Sequence, residues 1–210
     1  MFSRHAHQIV PALATAALLA AAPAASASAT PSHHGKRARI ALLIRHSQKH
    51  GCANANTPAA AAPKRQMRAA VVCLINEQRT SRHLPALHAS RLLDRSAQGW
   101  TNAMVSSDVF SHGTNFAGRI SAAGYVWRAA GENIATGFQT PAGVVRAWMA
   151  STGHCQNILN PTYGNVGTGI SRRPVSGWAS GAGTWTQDFA LSMYKSPPSA
   201  NWRPAGGCPY

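Results

Sequence analysis

The sequence predicts an α+β fold in which helices come first and a β-hairpin closes the chain. Three observations carry this expectation. "MRAAVVCLINEQRTSRHL", from Met67, sets Met67, Ala70, Val71, Leu74 and Ile75 at i, i+3, i+4 spacing with the charged residues mostly opposite. Ser90 is a good cap for a second helix, "RLLDRSAQGWTNAMVSSD", whose apolar face includes Leu93, Ala97, Trp100 and Met104. Near the end, "NVGTGIS" (165–171) alternates Val166, Thr168 and Ile170, and "TWTQDFALS" (184–192) alternates Trp185, Gln187, Phe189 and Leu191. Helices followed by a hairpin pack as layers of an α+β domain.

The remaining elements follow in order. Residues 1–29 read as a secretory signal peptide: a weakly basic start, the apolar run "IVPALATAALLAAAPAA", and the small-residue cleavage patterns Ala25-Ser26-Ala27 and Ala27-Ser28-Ala29. Pro11 and Pro23 interrupt the run, and no transmembrane segment is expected after cleavage. Residues 30–65, basic and then rich in Ala and Pro, read as a disordered linker. The folded domain is expected over 66–195, with a tail at 196–210. After the second helix "FSHG" is a break, and "NFAGRISAAG" is a short helix ending at Gly124. "YVWRAAGENIATG" lacks helical periodicity and reads as a short extended segment with loops. Thr140 and Pro141 start a helix carrying Val144, Val145 and Trp148 inward. "GHCQNILNP" is a further turn or short helix, and "RRPVSGWASGAG" is a long hairpin loop.

Twenty Lys and Arg stand against five acidic residues, a formal charge of +15. Such a chain is drawn to anionic polymers, acidic polysaccharides and anionic lipid surfaces. Export sets nucleic acid aside as a partner. Export also favours disulfides for the four cysteines, which lack any C-x-x-C spacing and allow three pairings. We favour Cys52–Cys73 and Cys155–Cys208, because Cys52 borders the low-complexity segment and would pin it to the next helix. Closing a loop of about 20 residues contributes about 3 kcal/mol in the chain-entropy model.

Three residues stand out for chemistry: His112 in "FSHG", Glu132 in "GENIATG" and His154 in "STGHCQNILNP". Each lies at a break between elements beside small residues, where a side chain is accessible. Two imidazoles and a carboxylate are a ligand set that zinc or another divalent cation accepts, and the same set suits acid–base work. The plain alternative is that they hold loops together by hydrogen bonds. No H-E-x-x-H or G-x-S-x-G is present. Trp100, Trp148 and Trp185 occupy apolar positions and read as core.

The succession "CLINEQR…LPAL", "FSHG", "GENIATG", "AWMASTGHCQNILNP", "VGTGI" and "TWTQDF" resembles the bacterial branch of the CAP superfamily (cysteine-rich secretory, antigen 5 and pathogenesis-related 1 proteins) over about residues 66–193. The resemblance implies an α-β-α sandwich, with a small antiparallel sheet between helical layers. It also implies that His112, Glu132 and His154 line one cleft. Many eukaryotic members carry a second glutamate three residues after the tryptophan of the preceding helix; here Ser151 follows Trp148 at that place. The site therefore carries less negative charge, and its expected zinc affinity is lower. A cysteine in the linker and another in the "CLIN" helix also fit the resemblance, in support of Cys52–Cys73. The expected function is a secreted, non-enzymatic binding module for an envelope component or lipid. The alternative is a metal-dependent extracellular hydrolase or peptidase using the same cleft.

Overall fold

Pro63 sets the first turn of helix α1 (Lys64–Thr80), which buries Met67, Ala70, Val71 and Ile75 along one stripe. The computed structural model describes residues 51–180, 183–198 and 208, so the expected signal peptide and most of the expected linker lie outside the described residues. The end of that linker belongs to the fold. Residues 51–63 form turns that bury Ala59 and Ala62 against the core, and Cys52 is joined to Cys73 of α1. Ala59 donates to Gln139 O at 2.8 Å, and the disulfide closes a 21-residue separation, so the Ala/Pro segment is tied down at both ends.

A two-residue strand β1 (His88–Ala89) precedes α2 (Arg91–Ser107), whose first turn is capped by the Ser90 hydroxyl accepting from Leu93 N. Asn115 caps α3 (Phe116–Ala122), and Thr140 caps α4 (Pro141–Met149) by accepting from Gly143 N. Helix α5 (Thr152–Ile158) and strands β3 (Asn165–Ser171) and β4 (Gly183–Ser192) complete the order. The segment expected to be short and loop-like is instead strand β2 (Trp127–Phe138), twelve residues long. Its Gly and Ala content hides a strand from propensity, and cross-strand pairing with β4 from Trp127 to Phe138 supplies what propensity does not.

The sheet order is β1-β3-β4-β2. The three long strands are antiparallel as expected, but β1 runs parallel to β3, so the sheet is mixed. Helices α2 and α3 cover one face. On the other, α1, α4 and α5 enclose Trp148, Ile158, Trp185 and Phe189. Helix α2 lies directly on β3 because Gly167 leaves room: a Cβ there would overlap the backbone of Leu93 and Asp94.

Both sheet edges are closed by side chains. Beyond short β1, Thr168 O accepts from Arg68, Thr168 N donates to Asp94, and Gln98 bonds both polar groups of Ile170. Along β2, the carbonyls of Ala130, Glu132 and Ile134 accept from Tyr163, Asn157 and Trp148. Pairing of edge groups in this way blunts strand addition. Arg79 is fully buried without an acidic partner and instead donates to the carbonyls of Pro85, Ile158 and Asn160, locking the end of α1 to the end of α5.

Gly167→Ala is expected to lower stability by about 2–3 kcal/mol in urea unfolding, the cost of overpacking a closed contact. Gly99→Ala, at an open position of α2, is expected to raise it by up to about 1 kcal/mol. Equal midpoints for wild type and Gly167→Ala would mean that α2 does not rest on β3.

Candidate functional site

Glu132 lies on the α2/α3 face of β2, and its side chain is 1% exposed. Two cations or donors meet it there. His112, on the loop after α2, donates from Nδ1 to Oε1 at 2.8 Å, and Arg119 of α3 donates from Nη2 to Oε2 at 2.6 Å. The Arg119 guanidinium stacks over Trp100 of α2, 3.8 Å from the ring centroid. Trp100 Nε1 donates to Ser111 O at 2.9 Å, fixing the loop that carries His112. Trp100, expected in the core, is only half-buried and supports this network.

The neighbours of Glu132 explain the small-residue segment. Gly131 must lack a side chain because a Cβ would strike the Tyr163 hydroxyl, which donates to Ala130 O. Asn133 turns to the opposite face and donates to His154 O at 3.1 Å, while Asn157 donates to Asn133 Oδ1 and Glu132 O. The Gly-Glu-Asn triplet thus anchors the His112 loop on one side of the sheet and the His154 helix on the other.

His112 and His154 line one cleft of about 680 Å³ that runs past the β2 edge. The loop after α2 contributes Phe110 and His112, β2 contributes Ile134 and Phe138, and α4–α5 contribute Trp148, Ser151 and His154. Trp178, from the hairpin loop, is 61% exposed and lies 5.6 Å from Phe110, centroid to centroid. Ser151 faces this cleft and makes no capping hydrogen bond to α5.

Glu132 is not among the residues lining the cleft; it is buried next to His112, which is half exposed. As three protein ligands, His112, Glu132 and His154 do not fit a zinc ion. Both Glu132 oxygens are committed, and a guanidinium lies against one of them. Among the described residues, three His, Cys, Asp or Glu ligand atoms converge within 4.8 Å only at Cys52, Cys73 and Glu77, where both sulfurs form the disulfide. Cys155 is joined to Cys208.

Two residues of the site escaped sequence reasoning, Arg119 and Asp188. Asp188 pairs directly across from Glu132 in the β2–β4 ladder and is buried beside Ser96 and Glu132. Burial, and then the negative charge of Glu132, push its carboxyl up to about 8. The raised value favours the protonated, uncharged form of Asp188 beside Glu132, whose own charge Arg119 balances. The available signal was an acid in mid-strand, in a chain with five acids.

The sign of the pH dependence follows. The folded value of Asp188 lies above its unfolded value of about 3.9, so its contribution is fully present below about pH 4 and lost as pH rises toward about 8. His154 runs oppositely: burial first, then the charge of His112, lower its value. Its contribution is present above about pH 6.5 and is lost as pH falls below that. Between about pH 6.5 and 8 the Asp188 effect therefore stands alone of the two, with a loss on the order of 2 kcal/mol in urea unfolding. Asp188→Asn is expected to abolish that loss; an unchanged slope would contradict the assignment.

Comparison with known proteins agrees with this architecture. Residues 72–193, more than half the chain, match the family model described as the cysteine-rich secretory protein family, CAP. The chain is 35% identical over 123 residues to the uncharacterized protein YkwD of Bacillus subtilis, a stretch covering 57% of this chain and 45% of that protein. It therefore spans less than half the length of the curated relative it matches. An extracellular protein from Bacillus anthracis containing an SCP domain superposes with a TM-score of 0.54 at 22% identity, over 62% of this chain and 44% of that one. An outer surface protein of Borrelia burgdorferi gives 0.52 at 19% identity, over 58% and 90%. These structural likenesses concern the fold. By its sequence match, the chain is a bacterial-type member of the cysteine-rich secretory protein (CAP) family.

Proposed function

We propose that the protein works outside the cell as a binding module, and that its cleft takes up an envelope component or lipid. One observation carries the reading. The cleft offers apolar and aromatic side chains with two imidazoles and a serine, while the carboxylate beside it is buried and fully engaged. Such a lining suits recognition of a ligand with an apolar part and a few polar groups. The charge of +15 adds long-range attraction to an anionic envelope. The two disulfides suit an oxidising exterior, and among the described residues no helix is long and apolar enough to cross a membrane.

A second reading is a hydrolase, metal-dependent or not. It is favoured by the Glu132–His112 hydrogen bond, which orients one imidazole nitrogen and leaves the other to accept a proton from water. Hydrolysis that His154→Ala abolishes and chelators suppress would favour it.

Retention on purified bacterial envelopes at about 0.5 M salt tests the binding reading, because screening there removes most surface attraction. Wild type is expected to remain bound, and Trp178→Ala to lose about tenfold in retention, a typical effect of truncating an aromatic anchor. Equal retention of the two, or none for wild type, would contradict it.

A further inference from the structure

We infer that a second site, the groove between α1 and α2, binds a single strand of polyol-phosphate polymer. This groove, of about 930 Å³, shares no residue with the cleft. Arg65 and Arg68 of α1 and Arg91 and Arg95 of α2 line it, with Asp94 its one acidic residue. Asp94 is already engaged: it accepts from Thr168 N at 2.8 Å and lies 3.9 Å from Arg68 Nε. Arg68 is anchored in turn, donating to Thr168 O at 2.7 Å and to Gln98 at 3.0 Å. The side chains of Arg65, Arg91 and Arg95 are exposed and make no hydrogen bond or ion pair with any described residue. Lys64 adjoins the same cluster, and its ammonium is lowered by burial and then by the charges of Arg68 and Arg172. The groove is thus an uncompensated cationic channel with one arginine held rigidly at its base.

The lining chooses among anions. Guanidinium forks suit phosphate oxygens, and Arg91 and Arg95 at i, i+4 are neighbours about 5–6 Å apart at Cβ, so they address successive charges along a strand. A concave groove admits a strand, whereas a bilayer presents a flat face. None of the lining residues is aromatic, so neither bases nor sugar rings find a stacking platform. What remains is a flexible phosphodiester chain joined by small polyols. Apolar Val72 and Ala69 lie between the charged rows and accommodate the polyol carbons.

The inference rests on the extracellular reading for its setting, but it fails or stands separately from the cleft. Calorimetric titration of the full chain with synthetic poly(glycerol phosphate) tests it, using two doubly substituted variants of equal charge. Arg91→Gln with Arg95→Gln is expected to weaken binding at least tenfold and to reduce the salt slope by about one to two. Arg128→Gln with Arg146→Gln, at exposed positions that do not line the groove, is expected to change affinity by less than about threefold. Thermal melts of both variants check that they fold. Equal weakening by the two pairs, or no measurable binding by wild type, would overturn the site. Oligothymidylate or phosphatidylglycerol vesicles binding as tightly, with the same Arg91/Arg95 dependence, would overturn the ligand class. Envelope retention that depends on Trp178 would leave the cleft reading standing in any of these cases.

Discussion

A single buried carboxylate ties the layers of this domain together. Glu132 accepts from a loop histidine and from a helix arginine on one face of the sheet, while its own carbonyl accepts from Asn157 on α5. Taking such a charge out of water is costly unless every lone pair finds a partner, and here Arg119 supplies the opposite charge. Arg119 is in turn held by the Trp100 ring, and Trp100 by the carbonyl of Ser111. Loop, helices and strand are therefore coupled through one acid, so the position of His112 on the cleft is a property of the core.

That coupling separates structure from recognition. Glu132 holds His112 and Arg119 from behind and does not itself line the cleft. The second acid, Asp188, stands inside the sheet–helix interface, favoured in its uncharged form, where a negative charge would face Glu132. The cleft consequently meets solvent with aromatic and apolar groups and two imidazoles. The capped β2 carbonyls also disfavour a ligand added as a further strand. Recognition falls to side chains.

Much of this was legible in the sequence. The caps Ser90 and Thr140, the heptad-like stripe of α1 and the alternation in β3 and β4 are local signals, and the structure follows them. The histidines and Glu132 were legible because His and Glu beside small residues are chemically conspicuous, although of the three only His112 lies on a loop; Glu132 is within β2 and His154 within α5. What was not legible depends on long-range contact. β2 is held by pairing with a strand about 50 residues away, and β1 by two residues of pairing with β3. Arg119 and Asp188 acquire their roles only when α3 and β4 close on Glu132. The linker's end looked disordered by composition, yet a disulfide and two buried alanines hold it on the core.

The most direct test is the tautomer of His112, read from long-range ¹H–¹⁵N correlations on uniformly ¹⁵N-labelled protein at a pH where the ring is neutral. The account predicts the Nδ1–H form, with Nε2 unprotonated, and reversion toward the Nε2–H form commonly favoured in solution when Glu132 is replaced by Ala. An Nε2–H ring in the wild type, or a tautomer indifferent to Glu132, would show that this carboxylate does not position the cleft.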